Sequence, residues 1–232
     1  MAAPELVSPG VYRVDAVGLK NAINVLLLEN DDGWTLVDTG VASSASRIRE
    51  AITALGSGPQ DLKRIFITHQ HDDHTGGLSD VLDWAPGAEV GAPAYEAEVV
   101  SGRRPYDPSS NAVMRYLSRN ARPQGVPVNK VLKEGDLVSG FRLISTPGHS
   151  LGHVSLLRDE DGLLLTADAI GCLPRKIRVG VRKAFCADPP LAKRSAEKLL
   201  AEDFATVVMG HGPVLRSGAR ARLREAVERS RY

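Results

Sequence analysis

Residues 66–77 read "FITHQHDDHTGG", and inside them three histidines and two aspartates fall within the six positions from His69 to His74. The residues leading in, "LKRIFITH" from Leu62 to His69, read as a short apolar strand that runs straight into the cluster. Side chains alternate along an extended strand, so His69, His71 and Asp73 are expected on one face and His74 on the other. A turn at "DHTGG", leading into a helix, would swing His74 back, with Gly76 and Gly77 allowing the reversal. Imidazole with carboxylate is the donor set of zinc or iron, whereas calcium and magnesium prefer oxygen-only shells.

The sequence around the cluster has a plan that occurs twice. "GVYRVDAVGLKNAINVLLLENDDGWTLVDTG", from Gly10 to Gly40, reads as antiparallel strands with a turn at "NDDG". A helix follows in "SSASRIREAITALGSGP", with Ser43 or Ser44 as its N-cap and apolar positions at Ile48, Ile52 and Leu55. In the second half "FRLISTPGHSLGHVSLLRDEDGLLLTADA" gives strands, "PPLAKRSAEKLLAED" a helix, and "FATVVMGHG" a strand ending in histidine. A last helix is read in "SGARARLREAVERSR". Each half places an Asp at a strand end, then a helix, then a strand ending in His, so two related halves sharing one site are expected. All six histidines fall in "HQHDDH", "TPGHSLGH" or "MGHG".

Between the halves, residues 93–128 are rich in Pro, Gly, Ser and Arg, with one helix in "PSSNAVMRYLSRNA". They read as an inserted helical lid on a single domain spanning 1–232. Tyr95, Tyr106, Met114 and Tyr116 are expected to pack a local core there. The formal charge of +1, from 29 basic and 28 acidic residues, provides no global field for nucleic acid. No export signal or membrane-spanning run is visible, and Cys172 and Cys186 read as free thiols, so a cytoplasmic location is expected. The oligomeric state is left open.

The ordered set "VDTG" (Val37 to Gly40), "THQHDDHTGG", "TPGHSLGHVSL", "TADA" and "GHGPVL" resembles the metallo-β-lactamase superfamily, in the branch that includes glyoxalase II and lactonases. The resemblance implies an α/β fold, a four-layer αββα sandwich, with two divalent ions at one edge, zinc foremost and iron or manganese as alternatives. It implies that His69, His71 and His149 hold one ion, that Asp73, His74 and His211 hold the other, and that Asp168 bridges them. Asp38, in "VDTG", would orient the ligand loop rather than bind metal. His153 reads as a supporting or packing residue, since "PGHSLGHVSLL" is a loop entering a strand. A bridging hydroxide, aimed by Asp73, would attack the scissile bond of an ester, thioester or lactone of a small metabolite.

Departures from relatives narrow the choice. Secreted β-lactamases of this fold commonly replace the residue at the His74 position and use a Cys ligand, which disfavours a β-lactam substrate. Glyoxalase II has an added C-terminal helical domain, whereas about twenty residues follow His211 here. Lactonases usually place Tyr three residues after the bridging Asp, where this chain has Gly171. A mononuclear iron persulfide dioxygenase and a phosphodiesterase or nuclease of the same fold are the alternatives. Five basic residues without an acid lie in "CLPRKIRVGVRK", Cys172 to Lys183; they read as a solvated face balanced by acids elsewhere, or, more sharply, as a place where Arg175, Lys176 or Arg178 meets a carboxylate or phosphate of the small-molecule substrate.

Overall fold

The computed structural model describes residues 3–173 and 175–231, which divide into two compact units: Met1–Arg104 with Pro123–Leu132, and Pro105–Arg122 with Lys133–Tyr232. The first unit carries strands β1 (Glu5–Ser8), β2 (Val11–Asp15), β3 (Asn24–Asn30), β4 (Gly33–Val37), β5 (Leu62–Phe66), β6 (Glu89–Pro93) and β7 (Lys130–Leu132). They form one sheet in sequence order, antiparallel from β1 to β4 and parallel from β4 to β7. Its helices are α1 (Ala45–Ala54), α2 (Asp72–Thr75), α3 (Leu78–Trp84) and α4 (Ala94–Val100). Leu27, Leu36 and Ile65 alternate inward from three neighbouring strands and pack with Ile48 and Ile52 of α1 and Val81 of α3. Each such fully buried aliphatic side chain contributes about 1.5–3 kcal/mol.

The second unit begins with α5 (Ala112–Ser118), followed by β8 (Leu137–Val138), β9 (Phe141–Ser145), β10 (Val154–Arg158), β11 (Leu163–Ala167), β12 (Ile170–Cys172), β13 (Ile177–Val179), α6 (Pro189–Ala201), β14 (Thr206–Met209) and α7 (Ala219–Glu228). A five-stranded sheet runs β14-β11-β10-β9-β8, and β12 pairs with β13 in a separate hairpin. Only β11 and β14 are parallel in the larger sheet, and α6 lies between them in sequence. Leu157, Leu164 and Val207 meet Ala192 and Leu199 of α6 and Leu223 of α7. Helix α6 starts as its sequence dictates: Asp188 Oδ1 accepts from Leu191 N at 2.9 Å, and Pro189 fills the first turn, where no N–H is needed.

The doubled plan is present in the fold: β4-α1-β5 and β11-α6-β14 are both parallel pairs joined through a helix. Several local expectations are corrected. Strand β5 ends at Phe66, so His69 and His71 lie in the loop that follows it and Asp73 in α2, not on one strand face. Ser44 does not cap α1 with its side chain. It closes a short 3-10 turn instead, where its Oγ accepts from Val41 N at 3.0 Å.

Residues 93–128 hold two helices rather than one, since α4 precedes α5; residues 105–122 group with the second unit and their flanks with the first. Tyr116 is 63% exposed and packs no core, because α5 buries none of its residues. Among the described residues no helix is long and apolar enough to cross a membrane.

Candidate metal centre

In the first unit the site is built around Asp38, which follows β4 with a left-handed backbone, φ 61°. Its N–H donates to Phe66 O at 2.9 Å, continuing the β4–β5 ladder by one bond. The chain beyond β5 then pairs with the Asp38 side chain rather than its backbone. Oδ1 accepts from Thr68 N at 2.8 Å, while Oδ2 accepts from Thr68 Oγ1 at 2.8 Å and from His74 Nδ1 at 2.7 Å. Asp38, Thr68, His69 and His74 are all buried.

These bonds fix tautomers. His74 must carry its proton on Nδ1 to donate to a carboxylate, which leaves the Nε2 lone pair as the ligand atom. Thr68 Oγ1 gives its proton to Asp38, so it accepts from His69 Nδ1 at 3.1 Å, and His69 too keeps Nε2 for a ligand. The His69 and His74 rings lie 4.1 Å apart between centroids, and those of His69 and His71 4.9 Å. Ligand atoms of Asp38, His69 and His74 all fall within 4.8 Å of one another. With three donors already on its two oxygens, Asp38 acts as the brace of this group.

His74 is held from behind as well: Thr39 N and Oγ1 both donate to its carbonyl, at 2.7 and 2.9 Å. Gly76 and Gly77 serve this approach and not a left-handed turn, since their φ values are −60° and −85°. A Cβ at Gly76 would stand 2.8 Å from Ala42 N, and one at Gly77 2.5 Å from Thr39 O. Only glycine lets the α2–α3 corner lie against residues 39–42.

The second unit gathers His149, His153, Asp168 and His211. Asp168 Oδ2 lies 3.2 Å from His149 Nε2 and 3.3 Å from His211 Nε2, all three side chains buried. Asp168 follows Ala167, whose φ of 42° accompanies a register shift in the β11–β14 ladder. His153 is engaged at both ring nitrogens: Nε2 accepts from Asp168 N at 3.1 Å, and Nδ1 faces Thr146 Oγ1 at 2.9 Å. Because Ser155 Oγ donates to Thr166 O at 3.2 Å, the chain His153 to Thr146 to Ser155 to Thr166 runs in one proton direction. His153 therefore steadies the backbone of Asp168. His149 sits after Gly148, where φ is 129° and a Cβ would stand 2.1 Å from Ala192 N at the start of α6.

Near His149, burial pushes the Cys186 thiol up to about 12, with the carboxylates of Asp168 and Asp188 adding to the effect; its Sγ lies 3.9 Å from His149 Nδ1. Both cysteines are free. Arg175 and Lys176 are exposed in the β12–β13 turn, whereas the Arg178 guanidinium donates to the carbonyls of Leu173 and Lys176 and braces the hairpin. Sequence reasoning missed Thr39, Thr68 and Thr146. The signal available for Thr68 and Thr146 was a Thr ahead of two of the three histidine segments, in "ITHQH" and "STPGH", while Thr39 lies in "VDTG".

Imidazole Nε2 atoms with carboxylates, collected beyond the carboxyl ends of parallel strands in an α/β chain, are the donor set of a metal-dependent hydrolase. The family model of the metallo-beta-lactamase superfamily matches residues 19–211, so the chain belongs to that superfamily and has its α/β fold. A probable metallo-hydrolase of Bacillus subtilis, YflN, is 28% identical, with 92% of this chain and 88% of that protein covered. An N-acyl homoserine lactonase of Bacillus cereus is 33% identical, but the match covers 62% of each chain. The solved metallo-beta-lactamase of Cronobacter sakazakii with a HARLDQ motif superimposes with a TM-score of 0.72 over 99% of this chain and 91% of its own, at 24% identity.

Proposed function

We propose that the chain is a dinuclear hydrolase of esters, thioesters or lactones of a small metabolite, with zinc as its metal and residues 1–232 as one domain. His69, His71 and His149 would hold one ion, Asp73, His74 and His211 the other, with Asp168 shared. The observation that carries the reading is the Asp168 carboxylate oxygen set between two imidazole Nε2 atoms, at 3.2 and 3.3 Å. A carboxylate flanked in this way by imidazole nitrogens suits sharing between two cations.

Bound divalent ions lower the pKa of water to about 7 and polarise the oxygen of the scissile bond. The protein's own residues supply orientation and proton handling. Asp73, half-buried in the first turn of α2, accepts a hydrogen bond from the attacking water and aims it. Asp38 and Thr68 hold the His74 and His69 tautomers, and His153 holds Asp168. No serine or cysteine nucleophile is needed, and Cys186, kept as a neutral thiol, does not compete for the role.

The basic turn with Arg175 and Lys176 would receive a carboxylate or phosphate of the substrate, and α5 with its flanks would act as a lid. Gly171 has no room for the Tyr of lactonases: even a Cβ would lie 2.6 Å from Val181 Cγ2. This favours an ester or thioester over an acyl lactone. The test is metal analysis of the purified protein together with a screen of thioesters, lactones and phosphodiesters. Two zinc ions per chain with ester turnover, both lost in Asp168→Ala, is the expected result. A single iron with oxygen consumption overturns the reading.

A further inference from the structure

Helix α5 presents its apolar side to solvent. Val113, Tyr116 and Leu117 are 66%, 63% and 67% exposed. Their spacing of three and four places them on one helical face. The start of the helix is well defined, since Asn111 Oδ1 accepts from both Val113 N and Met114 N, at 3.0 and 3.1 Å. It is also pinned: Ser109 Oγ donates to Ala184 O at 2.6 Å, Ser110 N to Cys186 O at 2.9 Å, and Leu151 N to Asp107 Oδ2 at 2.7 Å. Those bonds hold the lead-in of α5 to Leu151 and to the residues flanking Phe185, side chains that are themselves 41% and 37% exposed.

The charge along α5 and the residues after it has one sign, although Asp107 lies beside Leu151. No acidic residue occurs between Asp107 and Glu134, while Arg115, Arg119 and Arg122 stand on or just after α5. The Arg119 guanidinium lies 3.8 Å over the Tyr116 ring, which sets a cation beside the apolar face.

We propose that α5 with Leu151 and Phe185 is a docking surface for an anionic lipid bilayer. A bilayer interface offers what this face lacks, an apolar interior for Val113 and Leu117 and a negative plane for the arginines, with Tyr116 at the level between. A second copy of the chain fits less well, because a two-fold contact would set the same three arginines against themselves. Nucleic acid would leave Val113 and Leu117 unmatched.

The test is co-sedimentation of the full chain with vesicles of phosphatidylcholine alone and of phosphatidylcholine with one third phosphatidylglycerol. Binding to the anionic vesicles alone is expected, weakening as salt is raised. Leu117→Asp should abolish it, and each reversal among Arg115→Glu, Arg119→Glu and Arg122→Glu should lower it about fivefold. These side chains are exposed, so the thermal midpoint should stay put. No binding by the wild-type chain, or equal binding by Leu117→Asp, overturns the proposal. So does a concentration-dependent dimer without vesicles that Leu117→Asp dissolves, since the face then belongs to a second copy.

Discussion

Replacing Asp38 by Asn changes one atom and should disarm two histidines. The carbonyl of the new amide keeps the bond from Thr68 N, which fixes the amide orientation and leaves the NH2 where Oδ2 stood. That NH2 now donates to Thr68 Oγ1 and to His74 Nδ1, both of which donated before. His74 must move its proton to Nε2 in order to accept. Thr68, no longer able to give its proton to position 38, turns it to His69 Nδ1 and shifts that ring too. Both Nε2 lone pairs are then blocked. Outer partners of this kind are worth about 10- to 100-fold in metal affinity.

Stability should change little in Asp38→Asn, because Asn accepts a left-handed backbone and the bond count is kept. Asp38→Ala differs: Thr68 N and His74 Nδ1 become buried donors without acceptors, at about 1–3 kcal/mol each. A total near 4 kcal/mol lowers the melting midpoint of a chain this size by roughly 8–16 °C. Chelator competition for zinc, run beside thermal unfolding, separates the two effects. Wild-type zinc affinity in a well-folded Asp38→Asn protein would refute the tautomer argument.

Gly148→Ala should cost about 3 kcal/mol or more, since its Cβ would overlap Ala192 N and its φ of 129° suits no other residue; urea unfolding measures it. Cys186 should resist thiol reagents at neutral pH, because its raised pKa keeps it protonated, while the partly exposed Cys172 labels slowly; mass spectrometry should count one label native and two in denaturant. Burial pushes Glu134 up, but hydrogen bonds from Lys198 Nζ and Ser145 N outweigh it and hold the carboxyl below its ordinary range. The stabilisation from that depressed pKa is present above the unfolded glutamate value and lost as pH falls through the folded one. Glu134→Gln should therefore flatten the acid limb of a stability–pH curve by lowering neutral stability, with the two curves meeting at low pH. Asn111→Ala removes a cap worth about 1 kcal/mol to α5 alone; hydrogen exchange over residues 112–118 should quicken while the global midpoint holds.

What the sequence makes legible here is connectivity, and what it hides is where the ladders stop. The order Asp, helix, strand, His can be read twice because helices and apolar strands leave periodic traces, and in the fold both repeats are parallel pairs whose ends carry the donors. The end of β5 leaves no such trace, since "IFITHQH" keeps alternating past Phe66. The strand stops there because Asp38, turned left-handed after β4, offers a carboxylate where the next backbone partner would be, and Thr68 N takes it. That contact joins residues 30 apart in sequence, so no local pattern encodes it, yet it moves Asp73 off the expected strand face and onto α2. Helix α4 could have been found from "AYEAEVV" after Pro93, a run of helix formers behind a residue that suits a helix start. The exposure of Tyr116 could not: an aromatic three residues from Val113 reads as core in any amphipathic helix. Only tertiary placement reveals that α5 turns its apolar side outward.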